Sequence, residues 1–314
     1  MIHHVRDAVQ PLSFEQVIVV VGHQGERVRQ AVKEYPVVCA EQKEQLGTAH
    51  AVLAAKEYLE SQQGTVMILC GDTPLIRPET LQQMLESHLG AAAVLTVMTT
   101  HLDNPANYGR IVPDERGKVR RIVEEKDASP EQRKISEINA GIYCVDIPFL
   151  LQALQEVNTD NQQGEFYLTD IVGLANAAGH AVHRFACLDP DEVLGVNARR
   201  ELAQAHATLQ NRHNAALMAA GVTILQPEAT WVEKTVQVGK DTILEPNVHL
   251  LGQTQIGEGC HIEPFVIIRD SVLGDGVTVG SFSYVEGEQY GEGVIIPPRT
   301  REIKRGAAKN PRLN

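Results

Sequence analysis

The chain has no apolar run of about 18 residues, the length needed to cross a bilayer as a helix. Its five cysteines, Cys39, Cys70, Cys144, Cys187 and Cys260, are odd in number and widely scattered, with no C-x-x-C pair. That spacing argues against a disulfide frame or a zinc site and for reduced thiols. Positive charge is also short: 28 Lys and Arg against 40 Asp and Glu leave a formal net charge of −12. Such a balance opposes a nucleic-acid or anionic-membrane surface, although a nucleotide pocket needs only a few local donors and a metal. Met1-Ile2-His3-His4 runs into polar sequence rather than a signal-peptide pattern, so a soluble, cytoplasmic chain is expected. With 314 residues, 43% of them hydrophobic, there is material for two domains.

Up to about Ala198, apolar strands alternate with amphipathic segments. Val17–Val21, Val37–Ala40, Thr65–Cys70 and Ala93–Thr99 read as strands. Gly25–Glu34, Thr48–Leu59 and Pro78–Leu89 read as helices, the second with Thr48 as N-cap. This alternation predicts a mostly parallel sheet with right-handed crossovers. The Ala-rich stretch from Ala198 to Ala220 lacks Pro and Gly and stops at Gly221, as a connecting helix with a Gly C-cap would.

Beyond Gly221 the period changes. Aliphatic residues recur every six positions at Val232, Val238, Leu244, Leu250, Ile256, Ile262 and Ile268, slip by one to Leu273, and resume at Val279 and Val285. A sustained hexapeptide repeat is the signature of a parallel β-helix, and Val232–Tyr290 supplies about three coils. The basic tail from Arg299 to Asn314 is expected to be solvated and partly disordered.

Candidate chemistry sits in the first half. The strand Thr65–Cys70 ends in Gly71-Asp72-Thr73-Pro74, and a carboxylate at the carboxyl end of a strand is where an open α/β sheet places ligand chemistry. Asp72 is a candidate metal ligand for a phosphate-bearing substrate, or a turn Asp satisfying local amides. Gln42–His50 places amide side chains and a Gly at the mouth of a helix, able to read a pyrimidine edge. Asn107-Tyr108-Gly109-Arg110-Ile111 offers a Gly against which a sugar can lie, and Ile122–Asp127 ends a strand in carboxylates able to accept from sugar hydroxyls. Glu137–Tyr143 and Gly195-Val196-Asn197 each add an amide. Each motif also has a plain reading: Gln42 as a loop residue, Glu124 as a surface ion-pair member, Gly109 as an ordinary turn, Asn197 as a helix N-cap.

Together, in this order, the motifs QLGTAHA, GDTPLI, NYGRI, IVEEKDA, EINAGIY, GEFYLTDI and GVN resemble the bacterial bifunctional N-acetylglucosamine-1-phosphate uridylyltransferase / glucosamine-1-phosphate acetyltransferase family over nearly the whole chain. The resemblance implies a Rossmann-like α/β nucleotidyltransferase domain over 1–197, a connecting helix over 198–221, a short left-handed β-helix over 222–298, and the tail over 299–314. It implies that Gln42, Gly47 and Thr48 hold the uridine, with Cys70 and Gly71 also at the substrate. It implies that Asp72 and Asn197 ligate Mg²⁺ as the catalytic pair, and that Gly109, Glu124 and Asn139 bind the N-acetylglucosamine moiety. The implied reaction is transfer of UMP from UTP to N-acetylglucosamine-1-phosphate, with trimers packed along the β-helix. A uridylyltransferase for another sugar-1-phosphate and a catalytically dead UDP-sugar-binding or regulatory protein remain as alternatives.

Three departures from the family pattern stand out. Ala140 replaces the usual Thr. No Gly-rich loop with Arg and Lys precedes the first motif, which leaves an interior strand position unfilled and suggests a native start about 25–35 residues upstream, the size of one strand–loop unit. Each unsatisfied buried backbone group costs about 1–3 kcal/mol, so low stability and weak turnover are expected. The repeat stops near Ile296 with no segment matching the family's acetyl-transfer His, so acetyl transfer is expected to be absent. The late histidines His249 and His261 read as surface positions of the β-helix.

Overall fold

A computed structural model describes residues 1–304, and the chain forms two compact units, Met1–Glu201 and Leu202–Asn314. The last ten residues of the tail lie outside the described range. Among the described residues no helix is long and apolar enough to cross a membrane.

The first unit runs α1 (Ile2–Val9), β1 (Ile18–Val21), α2 (Gly25–Val32), β2 (Val38–Glu41), α3 (Thr48–Leu53), α4 (Lys56–Leu59), β3 (Thr65–Ile68), α5 (Pro78–Gly90), β4 (Leu95–His101), β5 (Arg110–Pro113), β6 (Val119–Val123), β7 (Glu137–Asp146), α6 (Ile147–Glu156), α7 (Asp170–Ala177), β8 (His183–Ala186) and α8 (Arg199–Ala219), the last reaching into the second unit. The expected helix over 48–59 breaks in two, because Ala55 N–H turns to Val52 O at 3.0 Å instead of continuing the four-residue ladder. Thr48 is the first helical residue and not the N-cap; Gly47 holds that place at φ 113°. Thr48 Oγ1 instead accepts from Leu168 N–H at 2.9 Å.

The expectation of a mostly parallel sheet fails for the larger sheet. Its strands lie in the order β6-β5-β7-β4-β8 with β3 also on β7. The ten-residue β7 runs antiparallel to β3, β4 and β5, and only β4 with β8 is a parallel pair. β7 and β4 are covered on both faces: Leu95, Val97, Met98, Ile138, Ile142 and Val145 are fully buried between apolar layers that include Leu81 and Met84 of α5 and Leu150 of α6.

β1 and β2 form a separate two-stranded parallel sheet. Among the described residues β1 pairs with β2 alone and β3 with β7 alone, so each keeps one edge without a strand partner. A cleft of about 820 Å³ lies between them, walled by Val17–Val20 and Thr65–Cys70 and partly covered by Ile2, Val5 and Val9 of α1.

The second unit is a left-handed parallel β-helix. Its two-to-three-residue strands stack in three ladders of five, four and five, more than the three coils expected. Strands at Thr223–Ile224 and Arg301–Ile303 extend the repeat beyond the span counted in sequence, so this part of the tail is a strand and not disordered. The one-residue slip is real: Gln237 pairs with Gln255, eighteen residues on, but Gln255 pairs with Val272, seventeen on. The six-spaced aliphatics point inward, Leu244, Leu250, Ile262, Ile268, Val279 and Val285 being fully buried, each worth about 1.5–3 kcal/mol. His249 and His261 belong to different ladders and alternate with that core, so they stand on outer faces of strands.

Candidate active site

Asp72 follows β3 in a turn held by Thr73, whose buried hydroxyl donates to Cys70 O at 2.9 Å. Asp72 O accepts from Val196 N–H at 2.9 Å, which lays the Gly195-Val196-Asn197 segment along the turn. Gly195 sits at the centre. A Cβ there would meet Asp72 Oδ2 at 3.3 Å and Asn197 Nδ2 at 3.4 Å. The carboxylate and the amide therefore face one small bay that only a residue without a side chain leaves open. Rotation of the amide by half a turn presents Oδ1 to the same spot.

Tyr108 joins this bay to the next group, its OH accepting from Gly195 N–H at 3.3 Å. Burial pushes its phenol up, with the Glu201 and Asp72 charges adding to it, so it stays neutral. Arg110, 1% exposed, bonds Tyr108 O and pairs with Glu125 at 2.6 Å, pinning the Tyr108-Gly109 bend. Gly109 lies against Glu124: a Cβ on Gly109 would meet both Glu124 carboxylate oxygens at 3.4 Å and Ile122 Cγ2 at 2.9 Å. Glu124 accepts from Thr169 Oγ1 at 3.1 Å. Burial, and then the Asp127 and Asp170 charges, hold its carboxyl above the usual range despite that bond.

Asn139 N–H donates to Gly109 O at 2.9 Å, so β7 positions its amide beside the same bend. That amide is already engaged, donating to Tyr143 OH at 2.6 Å and accepting from Gly141 N–H at 3.0 Å. Cys70, pushed up to about 11 by burial and then by Asp72, is a neutral thiol 3.6 Å from Gly141 O and no nucleophile.

Gln42 and the Gly47-Thr48 bend make the remaining wall. Gln42 Nε2 donates to Gly47 O at 3.1 Å and lies 3.2 Å from His50 Nδ1. Gly47 is fixed by its left-handed φ and by Phe166, whose carbonyl would lie 2.5 Å from any Cβ. The cleft between β1 and β3 opens onto this region, for Gln42, Thr48, Cys70, Gly71, Glu124, Asn139 and Thr169 all border it.

All ten candidates from the sequence thus fall on one connected region. Gln42, Thr48, Cys70, Gly71, Glu124 and Asn139 face the cleft, Gly47 joins it through Gln42, Asp72 and Asn197 through Gly195 and Tyr108, and Gly109 through Glu124. Tyr108, Arg110, Tyr143 and Thr169 were not among them. The first two stand in NYGRI, Tyr143 in EINAGIY and Thr169 in GEFYLTDI, where no local feature sets them apart from their neighbours. Among the described residues no three His, Cys, Asp or Glu side chains converge as a metal cluster. One carboxylate and one amide suit a hard cation that takes most of its ligands from phosphate and water.

The nucleotidyl transferase family matches residues 1–189, and the bacterial transferase hexapeptide (six repeats) family matches residues 235–270. A "Bifunctional protein GlmU" of Geobacter metallireducens is 48% identical over 268 residues, 85% of this chain and 56% of that protein. One of Geotalea daltonii is 50% identical over 260 residues, 82% of this chain and 57% of that protein. One of Desulfotalea psychrophila is 43% identical over 302 residues, 96% and 89% of the two chains. The chain therefore spans little more than half the length of the first two relatives.

Proposed function

The chain belongs to the nucleotidyl transferase family, and on that footing we propose that it transfers UMP from UTP to N-acetylglucosamine-1-phosphate. The observation that carries the reading is the bay where Asp72 and Asn197 face each other across Gly195, joined through Tyr108 to the Gly109–Glu124 pair. Asp72 and Asn197 are the residues that would hold Mg²⁺, which when bound draws charge from phosphate oxygens. Gln42, Gly47 and Thr48 hold the uracil edge, with Cys70 and Gly71 lining the path to the phosphates. Gly109 lets the sugar lie on the backbone, Glu124 accepts from its hydroxyls, and Asn139 shapes the floor through Tyr143.

In the reaction a phosphate oxygen of the sugar-1-phosphate forms a bond to the α-phosphorus of UTP, and the bond to the β-phosphate breaks to release pyrophosphate. The protein's share in such a transfer is alignment and charge stabilisation; no covalent enzyme intermediate is needed. The hexapeptide unit is the element proposed to assemble three copies, checked by sedimentation equilibrium.

The test is pyrophosphate release by the full chain with UTP, N-acetylglucosamine-1-phosphate and Mg²⁺, compared with Asp72→Asn and with glucose-1-phosphate as acceptor. The proposal expects activity that falls by at least about a hundredfold in the variant, the scale of losing one charge-stabilising group. Equal rates with the two acceptors would overturn the sugar assignment, and wild-type rates for Asp72→Asn would overturn the metal assignment.

A further inference from the structure

The two loops that carry Asp72 and Asn197 are clasped a second time, away from the bay. Arg77 stands five residues after Asp72, and Glu192 five residues before Asn197. Glu192 is 3% exposed, and its carboxylate accepts from the Arg77 backbone N–H at 3.1 Å and lies 3.4 Å from Arg77 Nε. Arg77 Nη2 also reaches Asp189 Oδ2 at 2.7 Å. Asp189 in turn accepts from Asp191 N–H at 3.2 Å and so shapes the turn that presents Glu192.

Burying a carboxylate is costly unless it is hydrogen-bonded or paired, and Glu192 meets that need with the Arg77 backbone N–H and the half-exposed Arg77 guanidinium. Cation binding is the property here that needs fixed geometry, since ligand distances must hold within about 0.2 Å. We propose that Glu192 is a positioning residue for the Asp72–Asn197 cation site, acting through Arg77 to set the spacing of the two loops. The inference rests on reading Asp72 and Asn197 as the metal pair. Near the bay a backbone bond, Val196 N–H to Asp72 O, joins the loops. The Arg77–Glu192 clasp holds them at the root, so that this bond and the facing side chains fall into register.

The experiment titrates Mn²⁺ alone into the full chain, reading free Mn²⁺ by paramagnetic resonance, and measures amide exchange at Val196. Glu192→Ala should raise the Mn²⁺ dissociation constant by about tenfold, the low end of what loss of a ligand-orienting contact costs, and speed exchange at Val196. Arg77→Ala keeps the backbone donor and should have a smaller effect of the same sign. Glu192→Gln keeps one acceptor and should fall between Glu192→Ala and wild type. Leu150→Ala, a fully buried core change in α6, is the control: it should lower the melting temperature and leave Mn²⁺ binding alone. Wild-type Mn²⁺ binding in Glu192→Ala, with binding abolished in Asp72→Asn, would overturn the clasp. Unchanged binding in Asp72→Asn would instead overturn the metal reading itself. Should Glu192→Ala lose its cooperative melt, Glu192→Gln and Arg77→Ala decide the matter. Losses of Mn²⁺ binding that merely follow melting temperature, Leu150→Ala included, would reduce Glu192 to a structural role.

Discussion

Gly195→Ala separates the site from the fold more cleanly than any substitution of a ligand. Its φ lies outside the left-handed region, so alanine meets no left-handed backbone strain, and its Cβ would meet Asp72 Oδ2 at 3.3 Å, Asn197 Nδ2 at 3.4 Å and Asp72 Cγ at 3.8 Å. Replacing Gly at a compatible position stabilises by about 0.4–1 kcal/mol through the unfolded chain. In a unit of this size that is about 1–4 °C in melting temperature. The new methyl nevertheless occupies the bay. A cation held by Asp72 and Asn197 as proposed, with oxygen ligands at about 2.0–2.1 Å, would have no room for water beside a carbon in contact with both. The expected result is a melting temperature equal to or above wild type, with Mn²⁺ affinity reduced at least about tenfold, or 1.4 kcal/mol. Gly47→Ala is the opposite case. Its Cβ would lie 2.5 Å from Phe166 O at a φ of 113°, and strain of about 1–3 kcal/mol should destabilise the fold before any ligand is added. Calorimetry and Mn²⁺ titration on the two variants check both halves. Wild-type Mn²⁺ binding in Gly195→Ala would show that the bay holds no cation, and a melting temperature several degrees lower would show that Gly195 is required by the fold.

Glu124, with its carboxyl raised chiefly by burial, gives a pH signature. Below the ordinary carboxylate value both states are protonated; as pH rises toward the raised value the unfolded chain ionises first and stability drops, so Glu124→Gln should be the more stable protein at pH 7 and bind N-acetylglucosamine-1-phosphate more weakly, checked by melting and calorimetric titration. His88 has the opposite sign. Buried against the Thr65 and Thr96 hydroxyls, it is lowered first by desolvation and then by His183, with Asp146 opposing. Stability should therefore be full above about pH 6.5 and fall as pH drops through the lowered value, a loss that His88→Gln should lessen in acid melts, leaving the part due to His213, which is lowered too. The separate β1–β2 pair should open below the global unfolding energy, so amides of Val19–Val21 should exchange faster than those of Val97 and Ile142; equal protection would show the two sheets unfolding as one.

What the sequence revealed follows from how local each cause is. The hexapeptide period reflects one repeating contact, inward aliphatics stacked coil on coil, so even the slip at Leu273 could be read and reappears in the pairing of Gln255 with Val272. Asp72 stands out by physics alone as a turn residue, because a strand that ends in Gly-Asp-x-Pro announces its own turn; the motif by itself leaves metal ligand and turn Asp open. The mixed sheet was not legible. Alternation counts strands and helices but is blind to direction, and β7 reverses direction relative to β3, β4 and β5 without changing the pattern.

That reversal matters to the site. Entering antiparallel, β7 brings Asn139 N–H to Gly109 O and puts Tyr143 opposite Ile68 of β3, so a strand far along the chain floors the pocket whose mouth is made by QLGTAHA. The Glu192–Arg77 clasp lies further still from sequence reasoning. Its partners are 115 residues apart, and an Arg before Pro78 and a Glu in a Pro-Asp-Glu turn each look like ordinary surface charge. Side chains that would touch a ligand sit in compact motifs, where a Gly, an amide or an acid stands out against its neighbours. Side chains that hold those motifs at the right distance carry no such local mark, since their partner is chosen by topology and their burial by the fold. Carboxylates buried against the loops between strand ends are the side chains suited to such a role, and in this chain Glu192, buried on the Arg77 backbone N–H, is the one proposed for it.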